Sequence, residues 1–189
     1  MGWGSCEALI TERRYKGDHV IRLLVAVSIV CLAIAARAES VPVSHKAIEA
    51  GWKQAECSVE LKDEKERDGE DLGNGLKLVE VYCWRAAYQA GSILFAVDPK
   101  KPDEARLLRF QIWNGKRFEP TLSLTDPSYD PKTKKLSSAH KGRGVGDCGS
   151  IGNWAWSGSE FKMTAYWNKD KCDGKPFDTA RRWQVFPKR

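Results

Sequence analysis

Phe161-Lys162-Met163-Thr164-Ala165-Tyr166-Trp167 sets Phe161, Met163, Ala165 and Trp167 against Lys162, Thr164 and Tyr166 in strict alternation. Successive side chains of an extended chain point to opposite faces, so this period of two predicts a strand with one face on a core. The same period recurs upstream. Val79, Val81 and Cys83 alternate with Glu80 and Tyr82, and Leu108, Phe110 and Ile112 alternate with Arg109, Gln111 and Trp113. Turn-forming residues separate these runs at Gly73-Asn74-Gly75, Asp98-Pro99-Lys100-Lys101-Pro102, Asn114-Gly115, Asp130-Pro131-Lys132-Thr133 and Ser157-Gly158. A single helix is expected from Ser44 to Ala55, with Ser44 as N-cap and Ala47, Ile48 and Trp52 near one face, although Gly51 weakens it. The pattern predicts a mainly β fold: an antiparallel barrel or sandwich of short hairpins with one short N-terminal helix.

A short echo accompanies the strands. Trp113-Asn114-Gly115-Lys116-Arg117-Phe118 and Trp156-Ser157-Gly158-Ser159-Glu160-Phe161 share the form W-[NS]-G-x-x-F. The simplest reading is one hairpin solution used twice, with Trp and Phe packed across a glycine turn.

The N-terminal segment has a different character. Arg22 precedes the apolar run from Leu23 to Ala36, which closes on Ala36-Arg37-Ala38. Charge, apolar run and small-residue cleavage site predict a secretory signal peptide over residues 1–38. The run is shorter than the roughly 20 residues that span a bilayer, so no stable membrane insertion is expected after cleavage. The expected product, residues 39–189, is one domain carrying 26 Lys and Arg against 22 Asp and Glu, a net charge of +4. So mild and interspersed a charge argues against a nucleic-acid partner.

Cysteine usage agrees with export. Cys57, Cys83, Cys148 and Cys172 remain after residue 38, and four cysteines allow three disulfide connectivities. Pairing Cys57 with Cys83 and Cys148 with Cys172 is expected, because each pair brackets a segment able to fold back on itself. Each bridge would close a loop of about 25 residues and contribute roughly 3.5 kcal/mol. There is no C-x-x-C pair, and His45 and His140 stand alone, so neither a metal nor any other cofactor is expected.

The densest motif is Lys141-Gly142-Arg143-Gly144-Val145-Gly146-Asp147-Cys148-Gly149, followed by Trp154-Ala155-Trp156-Ser157-Gly158 and Phe161. Upstream lie Tyr82-Cys83-Trp84-Arg85-Ala86-Ala87-Tyr88-Gln89-Ala90-Gly91 and Asp130-Pro131-Lys132-Thr133 leading to Leu136-Ser137-Ser138, and Cys172 follows. In this order the motifs resemble the exported bacterial domain of unknown function 1176 over about residues 78–186. The chain departs from that pattern at Arg85-Ala86-Ala87-Tyr88-Gln89, where Gly-Ala-Tyr-Asn is expected after the Cys-Trp pair. The resemblance implies export, disulfides and a compact domain; it implies no activity and no catalytic residue.

On their own chemistry the tempting motifs read as architecture. Gly144 to Gly149 satisfies G-x-G-x-x-G, but the residues after it start a strand where a dinucleotide site needs a helix. The glycines suit a tight, disulfide-anchored loop in which Arg143 or Asp147 bonds to the backbone. Ser137, Ser138, His140 and Asp147 hold the ingredients of a catalytic triad too close together in sequence to assemble without a sharp fold. Asp63-Glu64-Lys65-Glu66-Arg67-Asp68-Gly69-Glu70-Asp71 lacks the closing Glu of a calcium loop, since Gly75 stands there, and reads as a solvated loop.

The remaining signal is aromatic. Trp154 and Trp156 should share one strand face. If buried, they are core; if exposed, they form a platform flanked by Lys141 and Arg143 for a sugar or a protein. The candidate binding surface is therefore Lys141, Arg143, Asp147, Trp154 and Trp156, on a non-catalytic, periplasmic or secreted module whose partner is an envelope glycan or protein. Ser157-Gly158-Ser159 also resembles, over these few residues, the serine-glycine loop of periplasmic inhibitors of C-type lysozyme. Two alternatives stand beside the binding module: an inhibitor of a cell-wall hydrolase or protease, and a hydrolase with an unrecognised site.

Overall fold

Ala90-Gly91-Ser92-Ile93-Leu94-Phe95-Ala96-Val97 has no polar alternation, and from Gly91 onward every residue is buried. Such a run belongs to a strand covered on both faces, and it organises the molecule. In the computed structural model, residues 39–188 are described; the expected signal peptide lies outside the described residues. The elements, in chain order, are β1 (Glu39–Pro42), α1 (His45–Gln54), β2 (Glu66–Gly73), β3 (Leu76–Arg85), β4 (Ala90–Val97), β5 (Arg106–Leu107), β6 (Phe110–Trp113), β7 (Phe118–Thr121), β8 (Ser123–Thr125), β9 (Ser128–Asp130), β10 (Lys135–Lys141), β11 (Gly149–Trp156), β12 (Phe161–Lys169) and β13 (Gln184–Phe186).

All strand pairs are antiparallel. One sheet runs β1-β2-β3-β4-β5, with β8 also on β4; a second runs β13-β12-β11-β10-β9; β6 and β7 form a small third. Leu78, Leu94 and Ala96 of the first sheet share a core with Leu136, Trp154, Phe161 and Tyr166 of the second. The two sheets therefore form a sandwich, with the β6–β7 hairpin adding Phe110 to the same core. The alternate residues Val79, Val81, Cys83, Ile93, Phe95 and Val97 face the other way, onto Ile48 of α1 and the Val41–Val43 segment. Helix, sheet and sheet make three layers with β4 in the middle; β3 is covered on both faces only near Leu78 and Val79 and turns Glu80 and Tyr82 to solvent.

Gly51, the residue that weakens the helix locally, is what lets α1 lie on the sheet. A Cβ there would come within 2.6 Å of the Phe95 ring. The tertiary contact outweighs a propensity cost of about 1 kcal/mol.

Three sequence expectations change. The acidic stretch forms no solvated loop from residue 66 onward: Glu66–Gly73 is β2, paired with β1 on one side and β3 on the other. It has almost no apolar signature because only Gly69 and Leu72 turn into the core. Second, the period of β12 breaks. Asn153 pairs with Ala165 but Trp154 with Met163, so Thr164 is the extra residue of a bulge and Tyr166, not Ala165 or Trp167, is the next buried side chain. Third, Leu108 is buried but lies between β5 and β6 rather than in a strand.

The W-[NS]-G-x-x-F echo is one hairpin used twice. Trp113 pairs with Phe118 and Trp156 with Phe161, each with ring centroids 5.1 Å apart. The turn glycines have matching backbones, φ +95° at Gly115 and +97° at Gly158. Asn114 Oδ1 accepts the Arg117 N–H at 2.9 Å, and Ser157 Oγ accepts that of Glu160 at 3.3 Å. Asn and Ser fill one role, closing the turn.

Candidate functional site

Both expected disulfides are present, Cys57–Cys83 and Cys148–Cys172. The second anchors the loop that joins β10 to β11. Gly142 N donates to the Cys148 carbonyl and Gly146 N to that of Arg143, both at 2.9 Å. At its exit Gly149 has φ +135°, and a Cβ would collide with the His140 carbonyl oxygen. Only glycine allows β10 and β11 to meet there.

Within the loop Arg143 grips Asp147 with two hydrogen bonds, Nε to Oδ1 at 2.7 Å and Nη2 to Oδ2 at 2.5 Å. Such two-pronged pairing is the strongest form of this contact. Asp147 Oδ2 also accepts the Gly174 N–H at 2.6 Å, so one buried carboxylate ties the loop to the segment behind Cys172. The Arg143 guanidinium, and then the Gly174 amide, hold the Asp147 carboxyl well below the usual carboxylate range.

A lowered folded-state pKa stabilises the protein above the unfolded Asp value and is lost as pH falls through the folded value. Acidification from about pH 5 to about pH 2 is therefore expected to loosen residues 142–149 and 172–177. Hydrogen exchange of these amides against pH checks this. The pH dependence should vanish in Asp147→Asn; if it persists there unchanged, another carboxylate governs the loop.

The expected binding residues separate into two groups. Lys141 and Arg143 are exposed, the latter with 49% of its side chain in solvent, while Asp147 is buried. Trp154 and Trp156 do share a face, but that face is the sandwich interior. Trp154 is 1% exposed, packed edge-on to Phe110 and Tyr166, and Trp156 packs on Phe161. They form no exposed platform, and Trp154 leaves the candidate surface because β11 turns that face toward the first sheet.

Other residues take their place. Tyr88 is 71% exposed and Val145 77% exposed. A Cβ at Gly144 would lie 3.0 Å from the Tyr88 ring, so the loop and the β3–β4 turn touch. Gln89 fastens them: its Oε1 accepts the Lys141 N–H at 2.9 Å and its Nε2 donates to the Lys141 carbonyl at 3.3 Å. Tyr88, Arg143, Val145, Pro176 and Phe177 line one cleft. The available signal for Tyr88 was that the chain departs from the family pattern at Arg85 to Gln89.

The triad ingredients remain apart in function. Ser138 Oγ is buried and donates to the Thr125 carbonyl at 2.7 Å. His140 Nδ1 lies 3.2 Å from Gln89 Nε2 and 3.3 Å from Thr125 Oγ1, and Asp147 belongs to Arg143. Asp147, Cys148 and Cys172 come together, but the two cysteines are bonded to each other and offer no thiolate. The glycine-rich run leads into β11, where a dinucleotide site needs a helix.

A second concavity lies over β2 and β3 beside β9, lined by Glu66, Asp68, Glu70 and Glu80 with Tyr82 and Tyr129. Although Glu80 is exposed at the surface, desolvation by its neighbours pushes its carboxyl up, and Asp126 and Glu70 add to this. Glu66, Asp68 and Glu70 come from β2, the strand that the sequence presents as a loop, and Glu80 from β3 beside it.

The sequence profile of the family described as "Protein of unknown function (DUF1176)" matches residues 17–186. The chain belongs to this family, over a longer stretch than residues 78–186. It is 30% identical over 97 residues to "Uncharacterized protein YpfG" of Escherichia coli (strain K12), covering 51% of this chain and 28% of that protein. The chain thus spans little more than a quarter of that relative's length. No solved structure matches the chain.

Proposed function

We propose that the chain is a non-catalytic binding module of the cell envelope, exported by its N-terminal segment and working in an oxidising compartment, periplasmic or secreted. The two disulfides support export, since such bonds persist where thiols are not kept reduced. Among the described residues no helix is long and apolar enough to cross a membrane. The observation that carries the reading is the pairing of exposed Tyr88 and Val145 on a braced surface. Large apolar side chains held outward by a disulfide, a two-pronged ion pair and the Gln89 clamp are pre-organised for contact. Tyrosine is also enriched among residues that dominate binding.

Tyr88→Ala and Val145→Ser should fold like the parent, because both side chains are largely in solvent. Each is expected to weaken capture of an envelope partner by the oxidised chain about ten-fold, as for a residue of an interface centre. Undiminished capture by both folded variants rejects this site. Val145 also favours an inhibitor as a second reading, since a rigid loop with one projecting apolar side chain suits insertion into an enzyme cleft. In that case the same variants lose protection of cell walls against a muramidase or protease.

A further inference from the structure

Charge around Tyr88 is unbalanced. Arg85 ends β3 at the start of the β3–β4 turn, Lys141 ends β10 where the loop begins, Arg143 lies within the loop, and Lys175 follows Gly174. Of the nearby carboxylates, Asp126 accepts the Ala90 N–H at 3.0 Å and forms no ion pair, while those beside the loop are engaged. Asp147 is held by Arg143 and Gly174 N. Asp173 is held at 2.7 Å by Lys169, a lysine 1% exposed that also donates to the Lys175 carbonyl, and it accepts the Lys175 N–H at 3.1 Å. Asp178 pairs with Arg182 at 3.4 Å. Among the described residues Arg85, Lys141 and Lys175 form no ion pair, and all three are exposed.

We propose that this face binds an acidic segment of a protein partner, with an apolar side chain seated between Tyr88, Val145 and Phe177 and carboxylates meeting Arg85, Lys141 and Lys175. The inference deepens the binding-module reading and rests on it. Two features select a protein over an acidic glycan. An apolar centre with a charged rim is the anatomy of a protein interface. Gly144 also covers part of the Tyr88 ring, while Val145, the most exposed apolar side chain of the surface, offers a sugar neither a flat face nor a hydrogen bond. Charge complementarity would steer association and make it salt-dependent.

The test selects a displayed library of random dodecapeptides on the immobilised, oxidised full chain, with acidic polysaccharides offered in parallel. Enriched peptides should combine Asp or Glu with an aliphatic or aromatic residue. A synthetic peptide of that type should lose about ten-fold in affinity to the Lys141→Glu/Lys175→Glu variant, and should weaken as salt rises from about 50 to about 300 mM. Neutral or basic winners, or indifference to the charge reversal, overturn the acidic partner; sensitivity to Tyr88→Ala then leaves the binding site intact. Binding that survives both the charge reversal and Tyr88→Ala overturns the site itself. Enrichment of no peptide, with saturable binding of an acidic polysaccharide, overturns the protein partner.

Discussion

Trp154→Ala is expected to destabilise the folded chain by about 3–5 kcal/mol, the range for emptying a buried aromatic site. Trp154 stands in the middle of β11 with Leu136 of β10 and Met163 of β12 as its register partners. Its ring lies over Gly152, where any Cβ would strike it, and meets Phe110 edge-on at a centroid distance of 5.7 Å. The indole Nε1 makes no hydrogen bond to another group of the protein, so truncation removes packing and breaks no bond within the chain. The cost is therefore cavity and lost apolar contact. Urea denaturation should show a lower midpoint at an unchanged slope. An unchanged midpoint would mean that the sandwich core does not close on this ring. Loss of partner binding in this variant would report unfolding, and Trp154 is thus a poor probe of the surface that Tyr88 and Val145 probe cleanly.

Removing the first disulfide, as Cys57→Ala/Cys83→Ala, is expected to cost about 3.5 kcal/mol, from a closed loop spanning a sequence separation of 26. Both cysteines are in the core between α1 and the first sheet. The β3–β4 register shifts between Tyr82 and Trp84, leaving Cys83 as a bulge residue. Its carbonyl accepts the N–H groups of Ser58 and Val59 at 2.7 and 3.3 Å. The bridge therefore fixes the chain leaving α1 onto the central sheet, and its loss should lower global stability. Cys148→Ala/Cys172→Ala opens a loop of similar length, but Cys172 is exposed and the Arg143–Asp147–Gly174 contacts still hold the segment. Its effect should be concentrated in residues 142–149 and 172–177. Thermal melts with hydrogen exchange separate the two: equal, global loss of protection in both double variants would contradict this division.

The strands with one wet face were legible in the residues. Val79 to Cys83 and Phe161 to Met163 alternate because one side meets solvent or polar groups, and the glycine turns between Trp and Phe have the hairpin geometry their sequence predicts. The most buried strand was illegible for the converse reason. β4 has α1 on one side and the second sheet on the other, so Ile93 and Leu94 need the same apolar character and no period survives. β2 was hidden by its charges, which a strand tolerates when only Gly69 and Leu72 are buried.

The candidate surface divides in the same way. Gly142 to Gly149 announced a constrained loop and the cysteines their Cys148–Cys172 bridge, whereas the sequence pointed Arg143 or Asp147 to the backbone and only the structure shows the two bonded to each other. Whether Trp154 faces solvent depends on the sheet packed over β11, which lies far upstream in sequence.

By itself, then, the sequence determined what depends on neighbours along the chain: periods, turns, cysteine brackets and the family. The tertiary structure alone decided which strand faces are wet and which distant loops meet. Gln89 and Lys141 are 52 residues apart, and it is their contact that brings Tyr88 beside Val145. Burial and surface assembly are properties of long-range packing, which no local pattern encodes.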